Sequence, residues 1–478
     1  MEIINLKQKR IFEIFNEICS IPHGSGNCEL ISKYCINFAN RIGLKYYTDD
    51  AGNVVIFKNG TTGFEDKPPV ILQGHIDMVC QKDKNSAVNF ETDGLSVFYD
   101  GDFVYADGTT LGGDNGIAVA MIFAILESDT YSHPPIEAVF TTDEEIGMIG
   151  AGKLDISVLN GKQMINLDAE EDDSVIVSCA GGCDINIEMP LKFCNKFGSK
   201  LSIEIKGLKG GHSGVEIGNG RINSNIVAGR ILNSLPKEDF DIISINGGNK
   251  GNAITNFTTI ELCSSNPLDL KDRIDKVFRL IFNEIKFSEP NFVIETQITT
   301  DFQQFKVLDE DLKSDIIYLL GCIPNGVIEM SAEIENLVET SLNLGILQTN
   351  DNSISLLTSL RSNKKTALLA LADKINLFLS KVSCNVETSG FYPPWEFRSA
   401  SNLQRIYIDA YKNVSGKYPK VEAIHAGLEC AVFASKIGNI DCIAIGPNLY
   451  DVHTVNEKLS ISSTEKVFDI LIEVLKNL

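Results

Sequence analysis

A chain of 478 residues exceeds what one hydrophobic core ordinarily holds, since cores stop growing near ~250–300 residues, and two domains are expected. Hydrophobic residues make up 44% and charged residues 22%, the composition of a folded globular protein and not of a disordered one. The formal net charge is −22, from Asp+Glu 64 against Lys+Arg 42, which argues against nucleic acid or an anionic membrane as partner, because both need a basic surface.

The chain opens Met1-Glu2-Ile3-Ile4-Asn5-Leu6-Lys7-Gln8-Lys9-Arg10, without the basic start and apolar run of a secretory signal. No stretch of ~18 uncharged apolar residues is present, so no membrane span is expected. The 12 cysteines follow no repeated spacing, and many, such as Cys80 and Cys442, sit in apolar runs. They are expected to be reduced and mostly buried, as in a cytosol. Cys179 and Cys183 lack the second pair or the histidines that a zinc knuckle needs.

Residues 7–20 place Ile11, Ile14, Phe15 and Ile18 at helical spacing, and 29–41 repeat the pattern with Leu30, Tyr34, Ile36 and Phe38. Both predict amphipathic helices, joined by the turn-rich loop Ile21-Pro22-His23-Gly24-Ser25-Gly26-Asn27. His23 and, further on, His133 are taken as ordinary loop residues. Strands are predicted at 53–57, 69–73, 136–141 and 163–167, with an apolar helix at 116–127. Apolar strands alternating with helices indicate an α/β domain with a mixed, mostly parallel sheet covered on both faces.

The middle of the chain differs. Residues 200–208 alternate apolar and polar, as a half-exposed strand does. Helices are predicted at 221–235 and 269–285, and a strand at 258–263. Residues 340–348 and 353–361 alternate in register around Thr349-Asn350-Asp351-Asn352, which predicts a hairpin, and a helix follows at 364–379. These units suggest a smaller α+β domain. A strand at 441–445 and a helix at 463–478 return to the first style, so the second domain is expected to be inserted: 1–185 and 387–478 forming the first domain, 186–386 the second.

Five polar motifs carry chemistry, and four follow predicted strands, where ligands gather in sheets of this kind. In Gln73-Gly74-His75-Ile76-Asp77, residues i and i+2 face the same way, so Asp77 can hold the His75 imidazole as carboxylates hold metal-bound histidines. Asp107-Gly108-Thr109-Thr110-Leu111-Gly112-Gly113-Asp114-Asn115-Gly116 precedes an apolar helix, and its glycines permit close approach to a ligand. Thr141-Thr142-Asp143-Glu144-Glu145-Ile146-Gly147 and Ile165-Asn166-Leu167-Asp168 put acids at strand ends. His453-Thr454-Val455-Asn456-Glu457 comes near the C-terminus. Singly, each has a plain alternative: a chance pair, a helix cap, a solvated turn, a surface histidine. Together, two histidines and several carboxylates suit two divalent ions about 3.5–4 Å apart.

The order His-x-Asp, Gly-Asp-Asn-Gly, Glu-Glu, Leu-Asp and a C-terminal His resembles the M20 metallopeptidases over nearly the whole chain. The loop at 21–27, the string at 109–116 and His425-Ala426-Gly427-Leu428-Glu429-Cys430 are similar to the aminoacyl-histidine dipeptidase (PepD-like) branch in particular. The resemblance implies a zinc-peptidase-like catalytic domain with an inserted α+β lid, and a cytoplasmic enzyme. It implies that Asp114 bridges two divalent ions, zinc in the first place with cobalt or manganese as alternatives, and that the Asp114-Asn115 peptide after it is cis. His75 and Asp168 would complete one ion's shell, Glu145 and His453 the other's. Glu144 would be the general base and Asp77 the residue that orients His75.

In Gly210-Gly211-His212-Ser213-Gly214, His212 matches a lid histidine that stabilises the oxyanion and that dimeric relatives supply from the neighbouring subunit. Arg361 matches an arginine for the substrate's terminal carboxylate, against the alternative of a solvent-facing strand arginine. Asn252 and His425 are further substrate-binding candidates, and Glu429 is another residue in reach of the site. One departure is visible: relatives often have proline after the C-terminal histidine, where this chain has Val455-Asn456-Glu457. The function so implied is hydrolysis of dipeptides, of the Xaa-His type such as carnosine and unblocked dipeptides more broadly, by a homodimer paired through the lid. The alternatives are an amidase or deacylase on N-acyl amino acids using the same centre, and a non-catalytic binding protein.

Overall fold

The structure, a computed structural model, describes residues 6–299 and 301–478. The described residues form two compact units: 6–179, 397–423 and 428–478 make the first, and 180–299, 301–396 and 424–427 the second.

In the first unit, helices α1 (Lys9–Cys19) and α2 (Glu29–Arg41) bury one face each, α1 through Ile11, Phe12, Ile14, Phe15 and Ile18. The strands β1 (Lys45–Thr48), β2 (Val54–Lys58) and β3 (Val70–His75) come next, then the short β4 (Val97–Asp100) and β5 (Phe103–Ala106). Helix α3 (Gly113–Glu127) is apolar all round and buried from Gly116 to Leu126, as a helix enclosed in a core must be. Strands β6 (Ile136–Thr141), β7 (Gln163–Asn166) and β8 (Ser174–Cys179) complete this part.

The eight-stranded sheet runs β1-β2-β6-β3-β7, then the strand Asp441–Ala444, then β8 and Lys420–Ile424. Its centre is parallel: β3 pairs with β6 and β7, and Asp441–Ala444 pairs with β7. Antiparallel pairs lie outside this centre, β1 with β2 and β2 with β6. The central strands β3 and β6 are buried at every position, which is why they read as unbroken apolar runs. A second, four-stranded sheet orders Leu449–Tyr450, Lys458–Ser460, β5 and β4.

The second unit holds a ten-stranded antiparallel sheet with the helices Ser224–Ser234, Pro267–Ile285, Glu310–Cys322 and Lys365–Leu379. Its core joins Ile185, Ile203, Ile231, Leu262, Ile316, Leu342 and Leu360, among others. The hairpin expected around 349–352 is Val338–Thr349 against Ser353–Ser362, with a bulge between Leu344 and Ile346. The boundaries expected after 185 and 386 fall inside two neighbouring strands of this sheet, Gly181–Pro190 and Asn385–Tyr392. All 12 cysteines are free thiols, most of them buried.

Candidate metal centre

His75 ends β3, and its ring is fixed by Asp77, two residues further along the chain. Nδ1 lies 3.0 Å from the Asp77 carbonyl oxygen and 3.4 Å from Asp77 Oδ1, so Nδ1 carries the proton and Nε2 is the atom left for a ligand. Nε2 lies 3.1 Å from Asp114 Oδ1 and 3.5 Å from Asp168 Oδ1. Asp77 is itself held by the N–H groups of Glu144 and Glu145, at 3.0 and 3.3 Å, and by the Ser25 hydroxyl at 2.8 Å. One buried carboxylate therefore sets both the His75 ring and the acidic turn after β6.

Asp114 sits at the entry to α3, where the Asp114–Asn115 peptide is cis and both residues leave helical geometry. The Asn115 amide reaches the Leu167 carbonyl at 2.8 Å, tying this turn to the segment that carries Asp168. A Cβ on Gly74 would meet Asn115 Oδ1 at 2.6 Å, so glycine in β3 lets the turn approach the strand. The second oxygen of Asp114 faces the C-terminal histidine: Oδ2 is 3.2 Å from His453 Nε2, which is also 2.9 Å from Glu145 Oε1. His453 adopts a left-handed backbone, φ 62°, as does Asp143 at φ 54°, conformations that non-glycine residues adopt at a cost and that cluster at functional sites.

Three donor groups result: His75, Asp114 and Asp168; His75, Glu144 and Glu145; and Asp114, Glu145 and His453. Within each, one ligand atom per residue lies within 4.8 Å of the others. Asp114 belongs to two groups and gives one oxygen to each histidine. The mixed imidazole and carboxylate donor set, with a shared aspartate, fits two divalent cations.

The crowded acids dominate the electrostatics. Burial works to lower the His75 pKa, but Asp168, Asp114 and Asp77 outweigh it and hold the ring well above the ordinary histidine range. Hydrogen bonds to Asp114 and Glu145 raise His453 to about 11. Burial lifts Asp168 to about 6. Burial, joined by Asp168, Glu429 and Glu145, lifts Glu144 well above the ordinary carboxylate range.

The sequence model of peptidase family M20/M25/M40 matches residues 71–477, which include every residue of these three groups. The chain belongs to the peptidase family M20/M25/M40. It is 33% identical over 485 aligned positions to the cytosol non-specific dipeptidase of Escherichia coli K12, covering 100% of this chain and 99% of that protein. The aminoacylhistidine dipeptidase of Vibrio alginolyticus superposes with a TM-score of 0.91 at 33% identity, over 100% of this chain and 98% of that one. The aminopeptidase PepT of Bacillus cereus shares the fold, with a TM-score of 0.57 at 15% identity over 98% of each chain.

The remaining candidates of this M20 peptidase lie in the second unit. His425 is buried, with Nε2 2.7 Å from the Ser341 hydroxyl and Nδ1 3.2 Å from Asn363 Oδ1. Burial, with the positive charges of Arg361 and His212, lowers its pKa to about 3. Arg361 donates from Nη1 to the Tyr392 hydroxyl at 2.8 Å, while its Nε is buried without a hydrogen-bond partner. His212 Nδ1 accepts the N–H groups of Gly214 and Val215 at 3.1 and 3.3 Å. Exposed Asn252 accepts the Ser213 N–H through its backbone carbonyl, 2.9 Å away.

The structure adds detail that the sequence does not give for several other polar residues. His23 and His133, taken as loop residues, are both buried. Glu429 is wholly buried, accepts from Thr141 at 2.6 Å and from Gln73, and is raised to about 8 by burial. Glu457 appears within the C-terminal motif, but only its contacts reveal what it holds. Among the described residues, no helix is long and apolar enough to cross a membrane.

Proposed function

We propose that this M20 peptidase hydrolyses dipeptides at a two-cation centre, zinc in the first place, in the cytosol. The observation that carries the reading is Asp114, whose two oxygens face the two histidines in separate donor groups. His75 and Asp168 are assigned to one ion, Glu145 and His453 to the other. Names of full-length relatives at 33% identity, a cytosol non-specific dipeptidase and an aminoacylhistidine dipeptidase, support dipeptides as the substrate class.

When bound, the cations would supply Lewis acidity and lower the pKa of a coordinated water. Glu144, half-buried and with its pKa held above the ordinary carboxylate range by desolvation and the neighbouring acids, would take a proton from the attacking water and later hand it to the leaving amine. Asp77 keeps His75 in one tautomer. From the second unit, His212 is assigned to the oxyanion. Arg361 is assigned to the terminal carboxylate of the substrate, which a planar guanidinium binds bidentately. A carboxylate read one residue beyond the cut favours dipeptides over proteins. Pairing of two copies through the second unit, acting as a lid, is part of the same reading.

The test combines metal analysis with a substrate panel. Two zinc, cobalt or manganese ions per chain and turnover of unblocked dipeptides, Xaa-His among them, are expected. Turnover confined to N-acyl amino acids would replace the reading with a deacylase. A chain that takes up no divalent metal would end it.

A further inference from the structure

Glu457 stands four residues after His453, yet its side chain belongs to the Asp114 turn. The carboxylate is 3% exposed, and both oxygens are in use. Oε2 accepts the N–H of Leu111 at 2.7 Å and of Gly112 at 3.2 Å; Oε1 accepts the N–H of Gly113 at 2.8 Å and of Asp114 at 3.3 Å. Four consecutive backbone donors converge on one side chain from more than 340 positions away. Leu111 and Gly112 lead into α3, and Gly113 and Asp114 open it, where N–H groups lack a helical partner and negative charge is favoured. Gly113 makes the approach possible, since a Cβ there would lie 2.7 Å from Leu449 Cδ2 and 3.2 Å from Glu457 Oε1.

The backbone of Glu457 is equally anchored. It closes the loop between Leu449–Tyr450 and Lys458–Ser460, and Leu459 pairs with Val104 of β5. Ser460 and Ser462 both donate to Asp102, at 2.7 and 2.8 Å. The loop carrying His453 is thus anchored twice, to β5 by the small sheet and to the turn carrying Asp114 by the Glu457 carboxylate.

We propose that Glu457 is a positioning residue that locks the Leu111–Asp114 backbone to the His453 loop, so that Asp114 and His453 are presented together to a divalent cation. The proposal rests on the two-cation reading of the centre. Two ligands on separate loops lose freedom when a cation binds, and a site ordered beforehand avoids that cost. Partners that orient ligands without touching the metal change affinity by about 10–100-fold when removed. A carboxylate that merely capped a helix would change stability and leave affinity alone. Glu137 supplies the contrast: it is also 3% exposed and accepts the N–H groups of Asn160 and Gly161, but it belongs to none of the three donor groups.

The experiment titrates zinc into metal-free wild-type protein, Glu457→Gln and Glu137→Gln by calorimetry, alongside thermal unfolding of each apo form. Glutamine keeps the shape of Glu457 but turns an NH2 group toward N–H donors. Two equivalents are expected in the wild type. Glu457→Gln is expected to fold and to bind one equivalent about 10–100-fold more weakly, with kcat recovering as zinc is raised. Glu137→Gln is expected to unfold at lower temperature with both affinities unchanged. Wild-type affinities in folded Glu457→Gln, or an equal loss in Glu137→Gln, overturn the positioning role while two ions in the wild type leave the metal reading standing. A wild type that binds no zinc overturns both. Should Glu457→Gln fail to fold, amide exchange in the wild type decides: segments 109–116 and 451–459 must slow together as the second equivalent binds, and slowing of one alone overturns the proposal.

Discussion

The Glu144 N–H donates to Asp77 Oδ1 at 3.0 Å, so the residue assigned as base is held by the carboxylate that also orients His75. Asp77→Ala frees both at once. Zinc affinity is expected to fall about 10–100-fold, with kcat falling further than metal loss explains. Metal titration beside turnover at saturating zinc separates the two effects.

Glu144→Ala removes the proposed base and none of the Asp114, Asp168 or His453 ligand atoms. Metal content is expected to stay near that of the wild type while kcat drops by at least about 10²–10⁴-fold. Metal analysis of the purified variant, paired with single-turnover assays, checks it. Retained turnover removes the assignment.

Arg361→Lys keeps the charge and loses the planar fork. KM for a dipeptide with a free C-terminus is expected to rise about 10-fold or more, from a charged hydrogen bond worth about 1.5–3 kcal/mol. The corresponding C-terminal amide should change little. Equal loss on both substrates would point to a structural arginine held by Tyr392.

Gly113→Ala places a methyl 2.7 Å from Leu449 Cδ2. Overpacking of this kind costs about 1–3 kcal/mol. A lower thermal midpoint accompanied by weaker zinc binding is expected, because the displaced backbone carries Asp114. Unchanged zinc affinity would show that the turn tolerates the shift.

His425 gives a pH dependence whose sign is fixed. Its pKa is about 3 when folded against an ordinary 6.5, so the unfolded chain binds the proton first. Stability from this group is complete above about 6.5 and is lost as pH falls toward about 3. Denaturant unfolding between about pH 4 and 6 should show a steeper acid loss in the wild type than in His425→Gln. Equal slopes would mean that His425 is not held neutral.

Most of the candidate metal ligands stand out in the sequence because they follow a buried strand or open a buried helix, and those elements have strong patterns. Val70–His75 and Ile136–Thr141 are buried throughout, so their ends could be found and the polar residues after them noticed. The small sheet was not legible. Val97–Asp100 alternates between half-buried and exposed over four residues, and β5 finds its partner more than 350 positions later. Glu457 escaped for the same reason, since nothing local distinguishes a carboxylate that caps a distant helix from a solvated one. The strand predicted from 200 begins at Phe193, because residues 193–198 pair with Gln303–Leu308, a match visible only in three dimensions. His23 and His133 look like loop residues in sequence, and only packing shows that they are enclosed.

The placement of the strand Asp441–Ala444 has a consequence for biosynthesis. It lies against β7, and His453 comes after it, so the first unit draws its sheet and its ligands from early and late stretches of the same polypeptide. While the ribosome is still translating the codons from 441 onward, His75, Asp114 and Asp168 can already exist as folded chain, but the group that needs His453 cannot close. A nascent polypeptide, or one terminated before that point, therefore lacks both the strand that pairs with β7 and the donor group that includes His453.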